Sequence, residues 1–161
     1  CFWFTARLHK SPVRWAATPS APRDEGQAEQ QLALRHHGRL VLLCEDEPIN
    51  REIGMELLEA AGLKVASAAD GLEAVRLATT LSPALVLMDV QMPGLDGLEA
   101  TRRIRAFSEG ATVPIVAMTA NAFDDDRRRC LEAGMDDFIA KPLEPERLYR
   151  VVLDVLDRTV R

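Results

Sequence analysis

Long apolar runs are absent from the sequence. A membrane-spanning helix needs about 18 or more consecutive apolar residues, whereas the apolar segments here, such as residues 84–88, are short and typical of buried strands. We therefore predict that these 161 residues make no membrane contact. The chain begins with Cys1 rather than Met, which predicts that it is a fragment of a longer protein.

Cysteine is scarce as well. Cys1, Cys44 and Cys130 lie far apart in the sequence and lack the spacing of metal ligands. Scattered free thiols predict a reducing environment, because disulfides persist mainly in oxidising compartments. We expect a cytoplasmic location for this chain, which is compatible with a membrane anchor elsewhere in a longer parent protein.

Positive charge is scarce outside the N-terminal part. Residues 1–39 carry six Lys and Arg against three Asp and Glu, whereas residues 40–161 carry 14 against 22. The net charge of the whole chain is −5. Because binding to nucleic acid requires Lys and Arg that neutralise phosphates, we expect no nucleic-acid partner.

Residues 11–38 have the composition of a linker. Pro12, Pro19 and Pro22 are interspersed with small residues, which favours an extended, unpacked chain. Residues 27–35 are compatible with a short helix, but their low apolar content predicts that this helix does not dock firmly. We expect residues 1–38 to act as a tether that contributes little to stability.

From residue 39 onward, short apolar segments alternate with helical patterns. Five strand–helix pairs in strict alternation predict an α/β domain, in which helices cover both faces of a parallel sheet. The predicted strands are residues 40–44, 64–68, 84–88, 113–118 and 137–140, and the predicted helices are residues 49–61, 71–81, 97–107, 121–133 and 145–158.

The residues at the carboxyl ends of the predicted strands have related chemistry. Glu45 and Asp46 follow the first strand, Asp89 the third, Thr119 the fourth and Lys141 the fifth. Ligands of open parallel sheets bind beyond these ends. Clustered carboxylates repel each other unless a divalent cation binds or a carboxylate is protonated, and an all-oxygen set of ligands favours Mg²⁺.

The same residues suit a phosphoryl group. The carboxylate of Asp89 can act as a nucleophile and form an aspartyl phosphate. A metal ion and Lys141 would neutralise the phosphoryl oxygens, and Thr119 would donate a hydrogen bond to one of them. Each residue alone has a plainer interpretation, as a turn former, a helix cap or a solvated lysine, so their joint occurrence carries the prediction.

Four segments resemble a known family. They are LLCEDEPIN at residues 42–50, LMDVQMPGLDG at residues 87–97, MTAN at residues 118–121 and FIAKP at residues 138–142. Together they resemble the signature segments of the response-regulator receiver domain, over roughly residues 39–158. The resemblance implies a flavodoxin-like, doubly wound sheet of five parallel strands in the order 2-1-3-4-5 with five helices, preceded by an N-terminal extension.

The resemblance also implies roles for the acidic residues. Asp89 would be phosphorylated by a phosphohistidine donor. Asp46, Asp89 and the backbone carbonyl of Gln91 would hold Mg²⁺, and Glu45 would act near the metal. Glu45 stands where many members of the family have Asp, and we expect its longer side chain to alter the affinity for the metal.

The remaining implied roles concern switching and phosphate binding. Thr119 and Phe138 match the pair of switch residues of the family. Lys141 matches its phosphate-binding lysine, and the peptide bond between Lys141 and Pro142 is commonly cis in the family.

Some short sequence segments resemble those of one branch of the family, the receivers fused to hybrid sensor histidine kinases. This applies to residues 48–50 and 119–122, while residues 2–8 resemble the last strand of a histidine-kinase ATP-binding domain. The implied partner is a histidine-kinase dimerisation domain or a histidine phosphotransfer protein. The resemblance implies that this chain is the carboxyl-terminal end of a hybrid kinase. Residues 1–10 would be the last strand of the ATP-binding domain, residues 11–38 a linker and residues 39–161 the receiver.

Two rival functions stay open at this point. One is a phosphohydrolase with an aspartyl nucleophile, which typically has a second Asp two residues after the nucleophile as general acid. This chain has Gln91 at that position, which cannot donate a proton in that role. The other is a degenerate receiver that acts only as a protein-interaction module. The complete set of acids, together with Thr119 and Lys141, argues against it. Whether the chain is an enzyme is open too, since a receiver catalyses its own phosphorylation and dephosphorylation.

Overall fold

The computed structural model describes residues 26–107, 112–120 and 124–159. The strand expected within residues 1–10 and most of the expected linker therefore lie outside the described residues. The helices are α1 (Gln27–Arg35), α2 (Pro48–Ala60), α3 (Gly71–Leu81), α4 (Gly97–Ala106), α5 (Asp124–Ala133) and α6 (Pro145–Thr159), and the strands are β1 (Leu40–Cys44), β2 (Lys64–Ala68), β3 (Leu85–Asp89), β4 (Ile115–Thr119) and β5 (Asp137–Ala140).

The five strands form one parallel sheet in the order β2-β1-β3-β4-β5. This confirms the predicted doubly wound fold and its strand order. The order of the strands reverses between β1 and β3, which opens a crevice at their carboxyl ends. All of the predicted chemistry-bearing residues follow or end strands at that edge.

The central strands are buried on both faces, as the near-continuous Val, Leu and Ile content of a parallel sheet requires. Successive side chains point to opposite faces, so Leu42 and Cys44 pack with α3 and α4, whereas Val41 and Leu43 pack with α2 and α6. The two apolar clusters hold the sheet rigidly between its helices and fix the relative positions of the strand ends.

The helix α1 corrects one expectation. Leu32 of α1 is fully buried in the apolar cluster formed by α2 and α6. At the end of α1, two side chains contact Asp157 of α6. Arg35 Nη1 lies 2.7 Å from Asp157 Oδ2, and His36 Nε2 lies 2.8 Å from Oδ1. The prediction that this helix does not dock firmly is therefore wrong, and the described residues contain six helices rather than five.

The physical reason is that a helix with few apolar residues can still dock firmly when one of them is buried in the core. The low apolar content of α1 is real, since Leu34 is 81% exposed. Leu32 contributes the burial instead, and Asp157 supplies the polar contacts from a position more than 120 residues away in the sequence. No local pattern reports such a partner.

Among the described residues, no helix combines the length and the apolar character that crossing a membrane requires.

Candidate phosphoryl-acceptor site

The crevice at the carboxyl edge of the sheet brings the predicted residues together. Asp89 is the last residue of β3 and Thr119 the last of β4. Lys141 follows β5 directly, and its backbone N–H donates to the carbonyl of Thr119 at 2.8 Å. Glu45 follows β1, and its N–H donates to the carbonyl of Ala68 in β2 at 3.1 Å.

Asp89 is held by hydrogen bonds to both carboxylate oxygens. Its side chain is almost completely buried. Oδ1 accepts a hydrogen bond from the backbone N–H of Gln91 at 3.0 Å, and Oδ2 accepts one from Lys141 Nζ at 2.6 Å. The two donors fix the carboxylate in one orientation at the floor of the crevice.

Lys141 joins two of the acids. Its Nζ lies 2.6 Å from Asp89 Oδ2 and 2.6 Å from Glu45 Oε2. Burial alone lowers the pKa of this ammonium, but the hydrogen bonds and negative charges of Asp89 and Glu45 outweigh the burial, so the pKa of Lys141 is raised above its usual value. Lys141 is thus a permanent cation at neutral pH.

The carboxylates form a cluster that suits a hard divalent cation. One oxygen each of Glu45, Asp46 and Asp89 can be chosen so that all lie within 4.8 Å of one another. Glu45 Oε2 is buried, and its contact among the described residues is Lys141 Nζ at 2.6 Å. Lys141 pairs with two of these three carboxyl groups, and an all-oxygen donor set of this kind fits Mg²⁺.

The loop after β3 is packed so tightly that two glycines are required beside it. A Cβ added at Gly97 would lie 2.0 Å from the carbonyl oxygen of Asp89, and one at Gly71 would lie 2.2 Å from that of Leu95. Both distances are impossible for real side chains. Sequence reasoning noted these glycines only as helix starts and missed the close approach of Gly97 to Asp89 and of Gly71 to Leu95.

Arg51 is a second residue that sequence reasoning missed. From α2, its Nη1 donates to the backbone carbonyl of Glu45 at 2.8 Å and to that of Asp46 at 3.2 Å. The only sequence signal is an arginine near the start of the helix that follows the acidic pair.

The two predicted switch residues lie on the neighbouring strands β4 and β5 and differ in burial. Thr119 is buried at the end of β4. Phe138 in β5 is half-buried against the apolar cluster of α3 and α4, and the guanidinium of Arg127 lies 5.1 Å from the centroid of its ring. Gln91 is exposed, and its backbone N–H contacts the site through Asp89 Oδ1. The Lys141–Pro142 bond is cis, as expected.

A doubly wound parallel sheet with an acidic cluster and a lysine at its carboxyl edge defines a class of α/β proteins that bind cations and anions at the switch point of the sheet. Residues 41–153 match the family described as the response regulator receiver domain. The chain therefore belongs to the response regulator receiver family of two-component signalling, which confirms the resemblance found in the sequence.

Related sequences point to the same branch of the family that the sequence indicated. The chain is 39% identical over 161 residues to the sensor histidine kinase RcsC of Salmonella typhimurium, and 42% identical over 152 residues to the sensor protein GacS of Pseudomonas syringae. The alignments cover 96% and 92% of this chain but only 16% of each relative. The similarity is thus to the receiver domains of hybrid sensor histidine kinases.

Solved structures agree. The receiver domain of a sensor histidine kinase of Pseudomonas aeruginosa, with a magnesium ion coordinated in its active-site cleft, is 43% identical. Its TM-score is 0.71, and the match covers 74% of this chain and 98% of that domain. The receiver domain of Saccharomyces cerevisiae Ssk1, solved with the histidine phosphotransfer protein Ypd1, is 29% identical with a TM-score of 0.73, covering 78% of this chain and 93% of that one.

Proposed function

We propose that this receiver takes a phosphoryl group from a phosphohistidine onto Asp89 in a Mg²⁺-dependent reaction. The phosphorylated receiver then switches its output face or passes the phosphoryl group on in a phosphorelay. The observation that carries this proposal is the buried Asp89 carboxylate, paired at 2.6 Å with Lys141 and flanked by two further carboxyl groups. A carboxylate at this place is a nucleophile with its charge-stabilising partners already in position.

Asp89, Lys141 and Thr119 have separate roles in the proposed phosphoryl transfer. One Asp89 oxygen attacks the phosphorus, the P–N bond to the donor imidazole breaks, and the imidazole leaves with the bonding electron pair. Lys141 stays charged and neutralises phosphoryl oxygens. We assign to the Thr119 hydroxyl the donation of a hydrogen bond to one of these oxygens.

The acidic cluster holds the metal in this proposal. Asp46, Asp89 and the backbone carbonyl of Gln91 are the proposed ligands of Mg²⁺, with Glu45 beside them. When bound, Mg²⁺ neutralises charge on the phosphoryl oxygens. The magnesium ion in the cleft of the similar Pseudomonas aeruginosa receiver supports this assignment.

Mg²⁺ titrations test the metal site. We expect Asp46→Ala to bind Mg²⁺ on the order of tenfold or more weakly, since even indirect partners of metal ligands cost at least this much. In chelator the variant is no less stable than the wild type, because one of the mutually repelling carboxyl groups is gone. The matched control is Glu52→Ala, which removes an exposed acid of α2 outside the cluster. An unchanged Mg²⁺ affinity in Asp46→Ala would refute the assignment.

The surface beside the site supports a protein as phosphoryl donor. A concave region of about 390 Å³ is lined by Glu45, Asn50, Ile53, Lys141, Pro142 and Leu143. On the adjoining helix α2, Ile49 is 65% and Ile53 46% exposed. Exposed apolar side chains at the mouth of a catalytic crevice suit a helical partner. We propose a histidine-kinase dimerisation domain or a histidine phosphotransfer protein, a class that the Ssk1 receiver with Ypd1 supports.

The location and the parent protein follow from the same proposal. Cys44 and Cys130 are free and buried, which fits a reducing cytoplasm. We propose that the chain is a receiver domain of a hybrid histidine kinase, whose other domains include any membrane anchor, and that it contacts neither nucleic acid nor membrane.

The output face in this proposal is built from α5, β5 and α6. A bond between the phosphoryl group and Thr119 would draw this hydroxyl inward and vacate space for the ring of Phe138, which biases a two-state element. We expect beryllofluoride, a mimic of the phosphoryl group, to shift backbone NMR signals within residues 119–150. Signals of β2, which lies at the opposite edge of the sheet from β5, serve as the internal control. If residues 119–150 keep their chemical shifts, the switch is wrong for this chain.

A further inference from the structure

The acidic pair lies on the loop between β1 and α2, and a side chain of α2 holds that loop. The N–H of Glu45 makes a ladder-type bond from β1 to Ala68, after which the chain leaves the sheet. Arg51 then contacts the next two carbonyl groups, those of Glu45 at 2.8 Å and Asp46 at 3.2 Å. The same nitrogen, Nη1, donates to both.

The two carbonyls flank the Cα atom of Asp46. Each belongs to a planar peptide unit, one before and one after that residue. Only the φ and ψ angles of Asp46 lie between the two planes, and these angles set the direction of its Cα–Cβ bond. A group that binds both carbonyls therefore fixes the direction in which the Asp46 side chain leaves the main chain.

The position of Arg51 in its helix agrees with a dedicated role. A cation near the N-terminus of a helix is mildly unfavourable, because the helix dipole is positive there. The N-cap acid Glu47 accepts a hydrogen bond from the backbone N–H of Asn50 at 2.8 Å, and the first turn itself contains no acidic residue. The half-buried guanidinium is instead stabilised by the two main-chain oxygens of the acidic loop.

We propose that Arg51 is a positioning residue for the metal site, which orients Asp46 for Mg²⁺ by fixing the backbone of the acidic pair. The inference rests on the proposed Mg²⁺-dependent function. Without Arg51 the loop would relax, and the repulsion within the cluster would turn Asp46 away from the other carboxylates. A preoriented ligand set binds a metal more tightly than one that the metal must first order.

The sign of the effect separates positioning from simple electrostatics. If Arg51 acted only through its charge, Arg51→Ala would tighten Mg²⁺ binding, because a cation near the cluster repels the metal. A positioning role predicts the opposite, a Mg²⁺ affinity about tenfold weaker, as for other indirect partners of metal ligands. Isothermal titration calorimetry with Mg²⁺ on the full chain measures this difference, and thermal melting in chelator verifies the fold.

Two further variants keep the test decisive. Arg76→Ala removes an arginine of α3 that is 64% exposed and pairs with Glu73, and it should leave the Mg²⁺ affinity unchanged. If Arg51→Ala does not fold, Arg51→Lys replaces it, since lysine keeps the charge but loses the planar guanidinium; we expect weaker Mg²⁺ binding than in the wild type.

The outcomes distinguish this inference from the proposed function. Mg²⁺ affinity that is equal to or tighter than that of the wild type, in the folded Arg51 variant, overturns the inference and leaves the metal site in place. Absence of Mg²⁺ binding by the wild type overturns both.

Discussion

Asp89→Asn abolishes phosphorylation of this chain and leaves its fold intact. The amide has the shape of the carboxylate but lacks the anionic oxygen that attacks phosphorus. The amide oxygen can still accept the hydrogen bond that Gln91 donates to Asp89 Oδ1, and Lys141 keeps Glu45 as a partner at 2.6 Å. The expected result is no phosphoryl group per chain by intact mass after incubation with acetyl phosphate and Mg²⁺.

A matched control makes the loss specific. Asp96→Asn introduces the same chemical change at the residue that caps α4, where Asn is an equally good cap. This control should be phosphorylated to the wild-type level, and both variants should unfold near the temperature of the wild type. Stoichiometric labelling of Asp89→Asn would show that another residue is the nucleophile.

Leu32→Ala destabilises the domain by about 2–5 kcal/mol, the range for a leucine removed from a core. Leu32 is fully buried although it belongs to α1, which precedes the first strand of the sheet. Its side chain fills the apolar cluster that α2 and α6 share, so its loss leaves a cavity there. Urea denaturation followed by circular dichroism measures the change in the free energy of unfolding.

Leu34→Ala is the control for Leu32→Ala. It makes the same substitution two residues further along α1, at a side chain that is 81% exposed. Surface changes of this kind usually alter stability by no more than about 0.5 kcal/mol. Equal effects of the two substitutions would mean that α1 does not dock in solution. The tether was predicted for residues 1–38; the burial of Leu32 contradicts it for α1, and for residues 1–25, which lie outside the described residues, it stays a prediction.

The fold was predictable because its signal is periodic and repeated. Each strand is a short apolar run and each helix follows it, so five repeats of the pattern determined a parallel sheet. Strand ends were predicted one residue early at β3 and β4, because hydrophobicity stops at Met88 and Met118 while the strands continue through Asp89 and Thr119. A polar functional residue at the end of a buried strand hides the true boundary.

The candidate site was predictable from side chains that differ chemically from their surroundings. Acids, a threonine and a lysine at strand ends are visible in a sequence. The contributions of Arg51, Gly97 and Leu32 were not visible, because each depends on a contact that only the folded chain creates. Gly97 reads as an ordinary helix start until the carbonyl of Asp89 is found 2.0 Å from its missing Cβ.

The central claim is that Asp89 itself carries the phosphoryl group. The most direct test is to phosphorylate the wild-type chain with acetyl phosphate and Mg²⁺, reduce the acyl phosphate with sodium borohydride, and map the product by peptide mass spectrometry. Borohydride converts a phosphorylated aspartate to homoserine and leaves free carboxylates unchanged. We predict homoserine at position 89 only, and none when chelator replaces Mg²⁺. Homoserine at another aspartate, or at position 89 regardless of chelator, would contradict the account.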